Sequence, residues 1–373
     1  MVDDLWLRPA RLFDGTRLRE GPAVRLAGGR VSTIGPPPAG ARIRDLPGTL
    51  TPGFIDLQVN GGGGALVNTD PTPAGLARIA AAHRRFGTVA ILPTVITDAP
   101  HVMARAGKAA RAAAGREGLL GLHIEGPHIA PARRGTHDAG HVRPWDEATL
   151  HLVRRLRADG LTVMVTLAPE IVPARAIAAL AATGAIVSLG HSEATAEEAR
   201  AGLAAGARAA THLFNAMSQM SGRAPGLTGA AIGSDAFCGI IADGIHVADE
   251  MVALAIRARP CPGRMFAVSD AMATVGGPDR FRLYGREIRV RDGRLVNAEG
   301  RLAGAHLTMA GALQRLIGPV GLPPEQALAM AIGVPAALAG RPELAGLSGR
   351  RAADVILLDE GWGVAGTLAD HAG

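Results

Sequence analysis

The chain has 373 residues and a formal charge of +6, with hydrophobic residues at 48% and aromatics at 3%. That length suits one large barrel or two ordinary domains around a substantial core, and the hydrophobic share excludes a disordered chain. Scarce aromatics argue against a stacking surface for single-stranded nucleic acid, and the arginines are scattered among alanines and glycines with Lys108 as the only lysine.

The positive charge therefore reads as compositional bias rather than as a nucleic-acid surface, although it still favours an anionic small substrate. Cys238 and Cys261 are too few for a disulfide scaffold. No signal segment is recognisable and no apolar run reaches transmembrane length, so the expectation is a cytoplasmic protein with neither nucleic acid nor membrane as partner.

In chain order, residues 1–50 carry short strand-like pieces at 5–7, 23–26 and 30–34 between Gly and Pro turns, which predicts a small β layer. The texture changes at Thr51. A strand candidate at 53–59 carries Gln58, reaches Asn60, and is followed by Gly61 to Gly64, a flexible loop open to close approach of a ligand. Further strands are predicted at 88–93, 118–125, 162–168, 184–190, 208–212, 238–242 and 264–269, with helices at 72–85, 98–115, 146–158, 172–182 and 194–205. Eight strands with crossovers favour a (β/α)₈ TIM-type barrel over an open doubly wound sheet. No Gly-x-Gly-x-x-Gly fingerprint opens a helix where a dinucleotide fold needs one.

Beyond Asp270, residues 281–290 alternate like one strand and 291–294 form a turn, with helices at 306–317 and 324–332. Strand character returns at 353–359. The two chain ends are expected to complete one small β-sandwich, giving an N-terminal part at 1–50, a barrel at 51–335 with a β-hairpin insertion after strand 8, and a C-terminal part at 336–373.

The apolar run 119–124 stops at Glu125, and two later strand candidates stop at His191 and His212. One carboxylate and two imidazoles at the C-terminal ends of three strands match the needs of a catalytic metal. Gln58, Asn60, His246 and Asp270 fall at other strand ends. Alone, each histidine reads as a satisfied core residue and Asp270 as a helix N-cap; their shared placement favours chemistry. His123 and His128 lie near Glu125, but strand alternation points a neighbour away from a metal.

Thr51-Pro52-Gly53-Phe54-Ile55-Asp56 resembles the first barrel strand of the amidohydrolase superfamily. His123-Ile124-Glu125-Gly126-Pro127, Gly135-Thr136-His137, Gly190-His191-Ser192, Thr211-His212-Leu213-Phe214-Asn215-Ala216-Met217, Gly222-Arg223-Ala224-Pro225-Gly226, Asp243-Gly244-Ile245-His246 and Val268-Ser269-Asp270-Ala271 resemble, in that order, the N-acetylglucosamine-6-phosphate deacetylases.

The resemblance implies that Glu125, His191 and His212 bind one divalent ion, Zn²⁺ first, with Fe²⁺, Co²⁺ or Mn²⁺ as alternatives. Asp270 becomes the general base and acid, while His137 and His246 approach the sugar and its acetamide. Asn215, Ala216 and Arg223 become phosphate-side contacts. The implied substrate is a phosphorylated amino sugar, the implied reaction is conversion of N-acetyl-D-glucosamine 6-phosphate to D-glucosamine 6-phosphate and acetate, and the implied assembly is a homodimer.

One departure from the superfamily stands out. Its first strand often carries a His-x-His metal pair where this chain has Gln58 and Asn60, and amides bind cations weakly beside imidazoles. The expectation is a remnant second metal site and a mononuclear centre. Lys108 lies in a predicted helix rather than at a strand end, which argues against it as a bridging modified lysine. Two alternatives stay open: a deacetylase of another N-acyl amino sugar, and a catalytically silent barrel used for sugar binding or assembly.

Overall fold

The computed structural model describes residues 5–371 apart from Arg301. Eight parallel strands form the centre: β1 (Phe54–Val59), β2 (Thr88–Ile96), β3 (Gly121–Glu125), β4 (Thr162–Leu167), β5 (Ile186–Leu189), β6 (Ala209–Ala210), β7 (Phe237–Ile240) and β8 (Met265–Ala267). They hydrogen-bond in chain order. The ring is joined beyond β8 by a parallel bridge from Val59 to Ala271. There Asp270 N–H donates to Gln58 O at 3.0 Å and Asn60 N–H to Ala271 O at 2.9 Å.

Every residue of β1 to β5 is buried. Strands covered on both faces have no polar side to present, which is why they read as continuous apolar runs. Around them lie α1 (Pro73–Arg84), α2 (Pro100–Ala112), α3 (Glu147–Ala158), α4 (Ala174–Ala182) and α5 (Ala196–Ala204). Thr72 and Asp146 accept the backbone N–H of Gly75 and Thr149, and Thr195 with Glu198 forms a capping box. Each such cap contributes about 0.5–2 kcal/mol. Helix α3 buries Leu150, Val153 and Leu156 on the face that meets the barrel wall.

Strands from both chain ends share one seven-stranded sheet, in the order 364–367, 355–358, 42–52, 5–13, 23–27 and 30–35, with 18–19 pairing onto 5–13. Val355 pairs with Pro52 and Leu358 with Thr49. This sheet has an apolar core of its own, including Leu7, Leu12, Val24, Leu50, Leu357 and Leu368.

Three expectations change on inspection. The segment 281–290 is two strands, Arg280–Leu283 and Arg286–Arg291, because Tyr284 and Gly285 have φ of 51° and 76° and make a tight hairpin turn. A third strand, Arg294–Val296, completes a small antiparallel sheet. The helix expected at 306–317 starts at Met309, since Thr308 caps it and residues 303–305 extend alongside Asp270. The glycine run is no open loop: Gly61 and Gly62 are buried and pair with Ala65 and Leu66, and a Cβ on Gly62 would lie 2.9 Å from the His83 ring.

No described helix is long and apolar enough to cross a membrane. Lys108 lies exposed on α2, away from any strand end.

Candidate metal centre and active site

Glu125 closes β3, His191 follows β5 through Gly190, and His212 follows β6 through Thr211. Both histidines turn out of their strands with positive φ, 50° and 31°, as does Asp270 with 48° beyond β8. Left-handed backbone at a non-glycine residue costs about 1–3 kcal/mol and persists where the surroundings enforce it. The short β6 follows from this: its strand is cut where the chain turns to deliver His212.

The three side chains converge. Glu125 Oε1 lies 3.0 Å from His191 Nε2 and 3.0 Å from His212 Nε2, and the two nitrogens are 3.1 Å apart. All three residues are buried. Bonds of about 2.0–2.2 Å to a tetrahedral ion put neighbouring ligand atoms ~3.3–3.5 Å apart, so the cluster suits a divalent ion after a small expansion. His191 Nδ1 donates to Arg133 O at 2.8 Å, which fixes the ring with Nε2 aimed at the cluster. A carboxylate with two imidazoles, buried together, is the donor set of a borderline-hard cation.

Gln58 and Asn60 have a role that the sequence left hidden. Gln58 Nε2 donates to Glu125 Oε1 at 3.1 Å and to Asp270 Oδ1 at 3.2 Å, while Asn60 Nδ2 donates to Asp270 Oδ1 at 2.6 Å. The two amides thus direct N–H groups at both carboxylates of the site. Asp270 has its pKa pushed up to about 6, first by burial and then by the Glu125 charge. A carboxyl poised there can hold or release a proton near neutrality.

His137 is drawn in by the 131–137 segment until its ring centre is 4.4 Å from that of His191. Its Nδ1 lies 2.8 Å from Thr97 Oγ1, and burial, followed by the charge of His191, holds its pKa well below the usual histidine range. Tyr284 O–H donates to Thr97 O, so the small antiparallel sheet is pinned to the same point. A cavity of about 480 Å³ between that sheet and residues 132–139 reaches His137, and Arg134, Tyr284 and Arg286 are among its lining.

His246 Nδ1 donates to Asp243 Oδ2 at 2.6 Å, and Asp243 also accepts the backbone N–H groups of Ile245 and His246. The Asp-Gly-Ile-His order was the available signal for this pairing: an Asp three residues before a histidine makes the turn that orients it. Asn215 and Ala216 lie in the tight loop after His212, where Asn215 N–H donates to His212 O at 2.9 Å and Ala216 has φ of 49°. Arg223 stands apart, exposed in a bend after Ser221. The chain does not by itself join it to the cluster.

His123 and His128 stay outside the cluster, but alternation is not the reason: His123, two residues before Glu125 on the same strand, shares its inward face and sits nearer the strand's N-terminal end, while His128 lies beyond the strand. His123 bonds Thr166 Oγ1 at 2.7 Å inside the barrel, where burial pushes its pKa down to about 4. His128 reaches Pro144 O and Thr149 Oγ1, each at 2.8 Å. The segment 303–305 was missed as part of the site: Ala305 N–H donates to Asp270 O at 3.1 Å, and no ionisable residue within it announces that.

The amidohydrolase family profile matches residues 49–370. The N-acetylgalactosamine-6-phosphate deacetylase of Shewanella sp. (strain ANA-3) is 42% identical over 318 residues, 84% of this chain and 80% of that protein. The N-acetylglucosamine-6-phosphate deacetylase of Haemophilus influenzae is 34% identical over 309 residues, 81% of this chain and 80% of that protein. The crystal structure of N-acetylglucosamine-6-phosphate deacetylase from Pasteurella multocida superposes with a TM-score of 0.90 at 34% identity, covering 97% of both chains. The chain therefore belongs to the amidohydrolase family, in the group of the amino-sugar 6-phosphate deacetylases.

Proposed function

We propose that this enzyme hydrolyses the acetamide of an N-acetylhexosamine 6-phosphate, with N-acetyl-D-glucosamine 6-phosphate giving D-glucosamine 6-phosphate and acetate. The observation that carries the reading is the meeting of Glu125, His191 and His212 with an Asp270 carboxyl raised to about 6 at one barrel mouth. The C4 epimer, N-acetyl-D-galactosamine 6-phosphate, is the second reading, favoured by the 42% identity to the Shewanella protein. A silent barrel is disfavoured because Glu125, His191, His212 and Asp270 are all intact and meet at one barrel mouth.

Glu125, His191 and His212 would hold one divalent ion, with Zn²⁺ the best match to the donor set. When bound, the ion supplies Lewis-acid polarisation of water and of the amide oxygen. Asp270 takes a proton from the attacking water and returns it to the amine nitrogen as the C–N bond breaks, so one carboxyl serves both steps. Gln58 and Asn60 hold that carboxyl by hydrogen bonds, in place of a second ion. His246, fixed by Asp243, contacts the acetamide of the substrate. His137 contacts the sugar hydroxyls, and Asn215, Ala216 and Arg223 receive the phosphate, the guanidinium pairing with its oxygens.

The reading extends to architecture. Residues 1–50 and 336–373 form the small β-sandwich and residues 51–335 the barrel domain, supported by the sheet that both ends share. A homodimer rests on the family resemblance, and a cytoplasmic location on two unpaired cysteines.

The deciding experiment is acetate release from N-acetylglucosamine, N-acetylgalactosamine and their 6-phosphates, with metal content measured on the same preparation. Turnover of neither 6-phosphate at full metal occupancy would overturn the proposal.

A further inference from the structure

A second cavity, of about 260 Å³, opens at the opposite end of the barrel, where the N-terminal ends of β2, β3 and β4 approach residues 341–354. Its lining includes Val89, Leu119 and Leu161, together with four arginines: Arg116, Arg341, Arg350 and Arg351. None of these residues belongs to the metal cluster or its surroundings.

Two of the four arginines are already neutralised. Arg351 meets Glu117 at 2.7 Å and Asp354 at 2.8 Å, and Arg341 meets Glu343. The carboxylates in the lining are also taken, Asp159 by Arg111 and Asp354 by Arg84 and Arg351. Arg116 and Arg350 are left with no ion pair among the described residues. Arg350 is half-buried and donates one hydrogen bond, to Leu344 O at 2.6 Å, while its Nε is buried without an acceptor. A guanidinium held partly out of water carries a desolvation cost that an oxyanion pairing with it offsets.

We propose that this cavity is a phosphate-class anion site, in which Arg116 and Arg350 bind one dianionic phosphoryl group, either free or carried by a sugar. Charge sets the class: Arg116 and Arg350 make no direct ion pair, Arg350 feeling Asp354 and Glu343 only at longer range, and the planar forks of two guanidinium groups fit the oxygens of one dianion. Size sets the limit. The volume lies just below the ~300–1,000 Å³ of drug-sized pockets, which admits phosphate or the head of a sugar phosphate and excludes a dinucleotide. Because the lining joins the barrel floor to residues 341–354, occupancy clamps the C-terminal segment and stabilises the fold by mass action.

The test uses the full-length, metal-loaded protein, in an Arg223→Ala background that removes the proposed active-site phosphate contact. Inorganic phosphate and glucose 6-phosphate are each titrated calorimetrically and by thermal unfolding, with and without Arg350→Met or Arg116→Met. Both ligands should raise Tm in a concentration-dependent way, and each substitution should weaken binding by about tenfold or more. Equal binding of the two ligands assigns the phosphoryl group alone; binding of glucose 6-phosphate only assigns a phosphorylated sugar, and either supports the site. If Arg350→Met does not fold, Arg116→Met at its exposed position carries the test. Unchanged affinity in the folded variants, or no binding by the parent, overturns the proposal. Acetate release enters none of these readouts, so failure here is distinct from failure of the deacetylase reading.

Discussion

Asp56 on β1 accepts the backbone N–H of Ser269, beyond β8, at 3.3 Å, and that of Gln58 on its own strand at 3.2 Å. It straddles the seam where the barrel closes, and its partner Ser269 stands one residue before Asp270. Burial is the largest influence on its carboxyl and pushes its pKa up to about 7.

The sign of the pH effect follows. The unfolded chain ionises Asp56 near 4, whereas the folded chain keeps it protonated to about 7, so its contribution is complete below the lower value and is lost as pH rises through the window. Asp56→Asn keeps the shape without the ionisation. Denaturant unfolding should show the variant gaining on the parent by a few kcal/mol between pH 5 and pH 8. Parallel stability profiles for the two proteins would refute this.

Asp270→Asn should lower turnover by ~10²–10⁴-fold when compared at equal bound metal, since the amide can neither accept nor return a proton. In the parent, kcat should rise as pH passes through about 6, because the ionised form is the base; a divalent cation nearby moves this limb to lower pH. The variant should lose the limb. A folded, metal-loaded Asp270→Asn enzyme with near-parental kcat would remove Asp270 from the proton transfer.

Metal analysis should return one tightly bound divalent ion per chain, and His191→Ala or His212→Ala should reduce that occupancy. Two fully occupied, adjacent sites in an anomalous map would contradict the role given to Gln58 and Asn60. Gln58→Leu should leave the ion in place yet lower kcat, since it frees the Asp270 carboxyl from one of its two amide donors.

Arg223→Ala should depress kcat/KM for the 6-phosphate far more than for the neutral sugar, by roughly 10-fold or more for a lost charge-assisted contact. Equal relative losses on both substrates would make Arg223 a loop-organising residue instead.

Glu125, His191 and His212 were legible in the sequence because a buried parallel strand is apolar throughout, so an ionisable group at its end stands out. His123 was not separable by the pleat, which puts it on the same face as Glu125; its bond to Thr166 deeper in the barrel takes it out of the cluster. What hid was relational. That Gln58 and Asn60 donate to Asp270 cannot be read from one strand, since the acceptor arrives from the far side of the barrel some two hundred residues later. Thr97 beneath His137 and residues 303–305 beside Asp270 were silent for the same reason, being ordinary in type and special only in position. The hairpin at Tyr284 was missed because Tyr is an unusual first residue for a turn that needs positive φ twice.

The pairing of Val355–Leu358 with Thr49–Pro52 also orders events during synthesis. The strand that leads straight into the barrel must wait for a partner translated roughly 300 residues later, so one edge stays open while the barrel is being made. Such distant contacts are slow to form. A ribosome stalled before Val355 would hold a chain with its catalytic residues complete and a bare strand edge beside the barrel floor, open to pairing with a neighbour.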